Sequence, residues 1–578
     1  MQLTCATRSI WAKTGRHDAS GYGGETQLTH WLPLHRHLSD TAATAAKLWD
    51  QSFWAPAIRR RLTDRYDGDE AAARAVAILL AENHDVGKAS PAFAVQCPEL
   101  TGQMGDNGLK VRQTIKDHPD RALVRHELVS YLSFLEWAER RGAGRDARQQ
   151  LASVLGAHHG RPLTSDRIAL ARERPALVGE GPWSEARFEL LDRAASNPEV
   201  MPHLSKILST VLHQSDLVLL SGMLILADWL ASSEAYFPLF PLGDDLEVET
   251  SSRMAEAWRR FAPSHGWTPN PAGTTAELFR ERFQLPSGAS PHPAQSELVD
   301  CARSLEEPGL LILEAPMGSG KTEAALAAAE VLAAKFGANG LFIALPTQAT
   351  SNGMFTRVHD WADSSGMGTS IFLAHGRSTM NDEFEELVAE PRFNGVDESG
   401  GGELRSGKEP QNDGSVMVHR WFSGSKKGPL SNLVVGTIDQ VLFAALQSRH
   451  VSVRHLALAG KVVVIDEVHA YDTYMGEFLT RAVQWLGAYG VPVVLLSATL
   501  PAERRQDLVR AYEEGRRLDR GERVRSRGRS MIDDSVLGGN IGYPVISAST
   551  ELGQPRLPGW TGRRQNFAIE RLDDGDGS

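Results

Sequence analysis

Over most of the first 260 residues, apolar positions recur at helical spacing. The stretches HLSDTAATAAKLWD (37–50), DEAAARAVAILLAENHD (69–85), HELVSYLSFLEWAERR (126–141) and LVLLSGMLILADWLASS (217–233) each predict a helix, and this half reads as all-α. Proline, glycine and threonine then break every periodicity in PSHGWTPNPAGTT (263–275), the composition of an interdomain linker. Beyond it, short β-rich runs (LLILEAP, GLFIALPT, LVVGT, KVVVIDE, VPVVLLSA) alternate with helical stretches such as TEAALAAAEVLAAKF. That alternation predicts an α/β domain whose parallel strands are buried on both faces. The expected organisation is an all-α domain over 1–262, a linker over 263–280, an α/β lobe over 281–545 and a C-terminal remnant over 546–578. Within the lobe, the polar stretch 394–415 predicts a mobile surface insertion.

A chain of 578 residues is too long for one compact core, in keeping with this division. Its composition, 42% hydrophobic and 23% charged, is that of a folded rather than a disordered or fibrous protein. The net charge of −11 offers no global attraction for nucleic acid, so any such site must be a local patch. Cys5, Cys97 and Cys301 are scattered and outside C-x-x-C spacing, which argues against a disulfide framework or a cysteine zinc site and fits a reducing cytoplasm. The first residues lack a signal-peptide pattern. The apolar run 217–233 is short for a bilayer span and carries Asp228, so it is expected to be a buried core helix, with no membrane partner.

Two groups of residues carry recognisable chemistry. In LLILEAPMGSGKTEAAL (310–326), a buried strand leads through Gly318, Ser319, Gly320, Lys321 and Thr322 into a helix, the context of a P-loop. Backbone N–H groups there surround phosphate oxygens, Lys321 adds a point charge and the Thr322 hydroxyl reaches Mg²⁺, so ATP with Mg is the implied ligand. Ala315 stands where the strict pattern has its first glycine. In KVVVIDEVHAYD, Asp466 and Glu467 end a hydrophobic strand, where one carboxylate can hold Mg²⁺ and the other orient an attacking water. Pro346, Thr347, Gln348 and Thr350, and Gly436, Thr437, Asp439 and Gln440, place small, hydroxyl and amide groups after strands, suited to close approach by a phosphate backbone. Arg420, Lys426 and Lys427 lie beside Trp421 and Phe422, a mixture suited equally to single-stranded nucleic acid or to a solvated loop with a buried aromatic anchor.

The second group is His37, His84, Asp85, His126, His158, His159 and Asp228. A lone histidine is more often a satisfied core or surface group than a ligand, but helix-borne metal sites draw imidazoles and carboxylates from several helices at once. Asp228 is the most telling member, because an acid inside an apolar helix is costly unless it is paired or bound to metal. Asp216, the rival acid, reads instead as an N-terminal helix group. Lys88 could steady phosphate charge or satisfy carbonyls at a helix end.

Asp466-Glu467-Val468-His469 resembles the DExH box of superfamily 2 helicases, whose first lobe is RecA-like. Ser497-Ala498-Thr499 resembles their Ser-Ala-Thr motif, and Gln295 the glutamine that reads adenine. The order H…HD…H…HH…D resembles the HD nuclease domain, and its fusion to a DExH lobe resembles the CRISPR-associated nuclease-helicase of type I interference systems, over residues 10 to 545. That resemblance implies two divalent transition metals hydrolysing single-stranded DNA. His37, His84, Asp85 and Asp228 would lie at one metal, and His126, His158 and His159 at the other, with Asp85 bridging. Imidazole-rich ligation favours Fe, Mn, Co or Ni over Mg. The implied partners are single-stranded DNA and the RNA-guided, Cascade-type surveillance complex. Superfamily 2 motors also use a second RecA-like lobe with γ-phosphate arginines, which the residues after Pro501 do not display. The expectation is impaired ATP-driven unwinding, with a second polypeptide as a possible source of that lobe. An ATP-regulated DNA-binding module, or an HD phosphohydrolase acting on nucleotides, are the competing readings.

Overall fold

The computed structural model describes residues 2–18, 26–52, 54–243, 249–261, 266–271, 273–286, 288–364, 370–374, 427–446, 448–471, 473–521 and 543–549. The expected insertion at 394–415 and the residues Arg420, Trp421, Phe422 and Lys426 lie outside them.

After a single helical turn at Cys5–Arg8, the N-terminal unit runs through β1 (Trp11–Asp18) and β2 (Thr26–Pro33), followed by α1 (Leu34–Gln51), α2 (Ala55–Arg65) and α3 (Glu70–Asn83). Next come α4 (His126–Arg140), α5 (Arg145–Gly156), α6 (Gln214–Ala231), β3 (Phe240–Pro241) and α7 (Thr250–Phe261), with shorter helical segments between. Helix α3 starts on a side-chain cap, the Asp69 carboxylate accepting the Ala72 N–H at 3.0 Å. The domain is helical as the pattern predicts, with one addition. β1, β2 and β3 pair as an antiparallel sheet. The pairing of its two long strands is irregular, with register shifts after Trp11 and Gly15, so no sustained alternation announces them. The apolar run becomes α6, packed on α1 and α5 and buried along most of its length, as its core reading requires.

The second unit begins with α8 (Thr275–Phe283), whose Thr274/Glu277 capping box lies across the end of the expected linker. It continues through α9 (Pro293–Ser304), β4 (Leu310–Glu314), α10 (Lys321–Phe336), β5 (Gly340–Leu345), α11 (Gln348–Asp363) and β6 (Ile371–Ala374). β7 (Leu433–Thr437), α12 (Val451–Ala459), β8 (Lys461–Ile465), α13 (Thr473–Tyr489), β9 (Val493–Ser497), α14 (Ala502–Asp519) and β10 (Val545–Ala548) complete it. Among the described residues these strands form one sheet in the order β10-β4-β9-β8-β5-β7-β6. Every neighbouring pair is parallel except β10 on β4, so the sheet is mixed rather than wholly parallel and extends past residue 545. Strands β4 to β9 are buried throughout, as expected of a sheet covered on both faces.

One apolar cluster runs through both units. At the junction, α6 packs on α12 so closely that a Cβ at Gly222 would lie 2.5 Å from the Ser452 carbonyl oxygen. The Trp54 indole donates to the Leu430 carbonyl at 2.8 Å. Buried Asp216, at the start of α6, binds Arg61 and Arg65, which also reach Asp519 at the end of α14. Its Oδ2 also accepts the His213 N–H, so Asp216 is a helix cap and junction acid, away from the histidine cluster.

Candidate metal centre and nucleotide site

Five helix ends converge in the N-terminal unit. His37 lies in the first turn of α1, and α3 ends at Asn83, so that His84 and Asp85 turn inward before a 3-10 turn ending at Lys88. His126 starts α4, His158 and His159 follow α5, and Asp228 projects from the last turn of α6. Gly87 permits the approach, because a Cβ there would meet the His126 carbonyl oxygen at 2.0 Å.

Asp85 is at the centre. Its Oδ2 lies 3.1 Å from His37 Nε2 and 3.4 Å from His84 Nε2, while its Oδ1 lies 3.2 Å from both His126 Nε2 and His158 Nε2. Asp228 Oδ1 lies 3.4 Å from His37 Nε2 and from His84 Nε2. His159 Nε2 lies 2.7 Å from His126 Nε2. The donor atoms thus fall into two groups: His37, His84, Asp85 and Asp228, and His126, His158 and His159.

Both carboxylates are held ionised. Burial raises each, but Lys88, His84 and His126 outweigh it at Asp85, and hydrogen bonding to His37 and His84 does so at Asp228, so both lie well below the usual range. Against its burial, the two carboxylates push His84 up to about 10, a preference for positive charge at that point. His126 and His159 move the other way, mainly through burial, the latter to about 2, and stay neutral.

Buried polar atoms lacking a well-formed hydrogen bond normally cost free energy, yet His84 Nε2, His158 Nε2 and Asp85 Oδ1 all point into this space with only the charged contacts of 3.2 to 3.4 Å given above. The opposite ring nitrogens are satisfied: His84 Nδ1 meets the Ala81 carbonyl at 2.8 Å and His158 Nδ1 the Leu155 carbonyl at 2.6 Å. Such bonds fix the tautomer that leaves Nε2 with its lone pair exposed, so the residues fit cations in this space. Lys88 Nζ lies 2.7 Å from Asp85 Oδ2 and 5.5 Å from the Phe93 ring. Lys13 of β1 also reaches this neighbourhood, donating to the Ser232 carbonyl at 2.7 Å. Nothing in IWAKTG separates that lysine from an ordinary strand residue; only the fold of β1 against α6 brings it here.

In the second unit, β4 leads into a loop with Gly318 and Gly320 both at φ +74°, the left-handed region that favours glycine. Lys321 is folded back on the Ala315 carbonyl at 3.0 Å, and Ser319 Oγ donates to Pro316 O at 2.7 Å. Thr322 follows in the first turn of α10. Gln295 Nε2 donates to the Gly320 carbonyl at 3.1 Å, which places that glutamine on the loop. Asp466 and Glu467 follow β8, and burial raises the Asp466 pKa. His469 Nδ1 lies 3.2 Å from Ser497 Oγ and accepts the Ala498 N–H at 3.3 Å, while Ser497 Oγ donates to the Thr499 carbonyl at 2.7 Å. The acidic strand end and the Ser-Ala-Thr segment therefore form one hydrogen-bonded unit.

Pro346, Thr347, Gln348 and Thr350 follow β5, and Gly436, Thr437, Asp439 and Gln440 end or follow β7, its parallel neighbour, so the two segments share one sheet edge. Two residues carry other duties. Gly436 is required by packing, since a Cβ there would lie 2.7 Å from the Ala374 carbonyl, and Gln440 accepts from Arg454 at 2.7 Å. Lys427 is placed over the Trp229 ring at the junction, 5.9 Å from its centroid, and burial lowers its pKa to about 8.

Fold and site define an HD-type helical domain joined to a RecA-like, P-loop lobe. Residues 11–237 match the family described as Cas3, HD domain. The chain is 36% identical over 521 residues to the CRISPR-associated nuclease/helicase Cas3 of Streptococcus thermophilus, covering 84% of this chain and 52% of that protein. The crystal structure of T. fusca Cas3 superimposes with a TM-score of 0.70 at 27% identity, over 96% of this chain and 57% of that one. A chain in a structure described as a CRISPR RNA-guided surveillance complex, pre-nicking, matches with a TM-score of 0.59 at 25% identity, over 95% of this chain and 53% of that one. The chain is thus similar to Cas3 nuclease/helicases along most of its own length, and it spans about half the length of the curated relatives it matches.

Proposed function

We propose that this chain hydrolyses single-stranded DNA at an HD centre holding two divalent transition metals, Fe, Mn, Co or Ni, in type I CRISPR interference. The carrying observation is Asp85, whose two oxygens face different imidazole sets. His37, His84, Asp85 and Asp228 would hold one ion and His126, His158 and His159 the other, with Asp85 joining them. Bound there, such ions supply Lewis-acid polarisation of the phosphodiester and activation of water. The protein's own groups orient the rest: the carbonyls of Ala81 and Leu155 fix the His84 and His158 tautomers, and Lys88 provides positive charge beside Asp85 for a phosphate.

The second unit binds ATP with Mg and draws strand toward that centre. Gly318, Ser319, Gly320, Lys321 and Thr322 cradle the phosphates, Gln295 reads the base, and Asp466 and Glu467 hold Mg and orient water. His469 links these acids to Ser497, Ala498 and Thr499. The sheet edge bearing Thr347 and Thr437 follows the strand's phosphates. Recruitment by an RNA-guided surveillance complex is supported by the likeness to the chain seen in such a complex.

Circular single-stranded DNA incubated with Mn²⁺, Co²⁺ or Ni²⁺, with and without ATP, tests the reading. Wild type should degrade it and Asp85→Ala should not; full activity in Asp85→Ala would refute the metal assignment. ATP-responsive strand binding without cleavage under any of these metals would favour a binding module instead.

A further inference from the structure

Lys13 is a half-buried cation that the proposed chemistry leaves unused. Its ammonium donates to the Ser232 carbonyl at 2.7 Å and has no ion-pair partner among the described residues. Ser232 caps the end of α6, and its hydroxyl donates to Asp228 Oδ1 at 2.8 Å. One residue therefore separates Lys13 from the carboxylate of the first ligand group. Asp228, Asp85 and Glu234 favour its charge, but burial first, and Lys88 second, outweigh them and lower its pKa to about 8.

The sign of the charge decides between two roles. A lysine near Asp85 and Asp228 competes with cations for those carboxylates, so metal binding alone gives no reason for its presence. A phosphodiester brings a negative charge to the same place, and a positive group at its oxygens is then favourable. Lys88 is already engaged with Asp85 at 2.7 Å, whereas Lys13 is tethered only by a neutral carbonyl, which costs little to release. Its four-carbon stem allows the ammonium to swing from that tether.

We propose that Lys13 is a phosphate-contacting residue of the nuclease site, exchanging the Ser232 carbonyl for a non-bridging oxygen of the bound DNA backbone. The inference rests on the nuclease reading above. It makes β1 one wall of the strand's path and gives the N-terminal sheet a part in substrate binding.

The test compares the full chain with Lys13→Gln, which keeps a donor for Ser232 and loses the charge, and with Lys13→Arg, which keeps both. Three quantities are read: Mn²⁺ affinity by calorimetry, binding of inorganic phosphate to the Mn²⁺-loaded chain, and KM and kcat for an oligo-dT substrate. In Lys13→Gln, Mn²⁺ affinity should be unchanged or rise a few-fold, phosphate binding should weaken about tenfold, and KM should rise about tenfold with kcat little changed. Lys13→Arg should stay within about threefold of wild type throughout. Weaker Mn²⁺ binding in Lys13→Gln would overturn the proposal, making Lys13 a positioning residue that acts on Asp228 through Ser232. Equal phosphate binding in wild type and Lys13→Gln would also overturn it. If wild type cleaves no DNA, the nuclease reading falls, yet the phosphate comparison still decides Lys13. Should Lys13→Gln lose its native melting temperature, Lys13→Met supplies the neutral variant for the same measurements.

Discussion

At the scale of single residues, the centre depends on one missing side chain as much as on seven present ones. A methyl group at position 87 would lie 2.0 Å from the His126 carbonyl oxygen and 2.5 Å from the Ser130 N–H nitrogen. Gly87→Ala is therefore expected to push the start of α4 outward, destabilising the chain by about 1–3 kcal/mol. It should weaken Mn²⁺ binding at the His126 side, as read by denaturant unfolding and calorimetry together. The seven ligand candidates were legible in the sequence because imidazoles and acids at helix ends are conspicuous against apolar periodicity. Gly87 and Lys13 were not, since neither a close backbone approach nor a strand lysine has a signature of its own. The same limit applies to Gly436 and Gln440, whose packing and pairing in the fold compete with the strand-contact role that their types suggested.

At the scale of elements, α12 joins the two chemistries. It starts at His450, whose N–H donates to the Gly160 carbonyl at 3.0 Å, directly after His158 and His159, and it ends at the turn into β8, which presents Asp466. Within it, His455 is fully buried with the Tyr489 hydroxyl 2.9 Å from its Nδ1, and burial lowers its pKa from 6.5 to about 4. A base with a depressed folded pKa binds its proton more readily in the unfolded chain, so its contribution is constant above pH 6.5 and is lost as pH falls toward 4. This single group should remove about 2 kcal/mol of stability by pH 5. Urea denaturation of wild type and His455→Phe between pH 7 and 5 reads it: the variant should lose less stability over that interval. No periodicity distinguishes α12 from any other crossover helix, and its importance comes entirely from what lies at its two ends.

At the scale of the whole molecule, the units are fastened by charge as well as by apolar surface. Asp216 is fully buried between Arg61 and Arg65, with Asp519 completing the group from α14. Removing it leaves two guanidinium groups short of a partner, so Asp216→Ala should cost about 3 kcal/mol in unfolding free energy. Lys321→Ala should behave differently: nucleotide binding, followed with a fluorescent ATP analogue, is expected to be lost, while Mn²⁺-dependent cleavage of preformed single strands persists. The helical-then-α/β order, the P-loop and acidic strand end, and the histidine and aspartate set could all be read from the chain, because each is written in local spacing and residue type. The antiparallel β10, the N-terminal sheet and the junction through α6 and α12 could not, and the place of Asp85 between two imidazole sets was implied only by the family resemblance. Those depend on contacts between residues far apart in sequence, which burial, close approach and charge pairing fix only once the whole chain has packed.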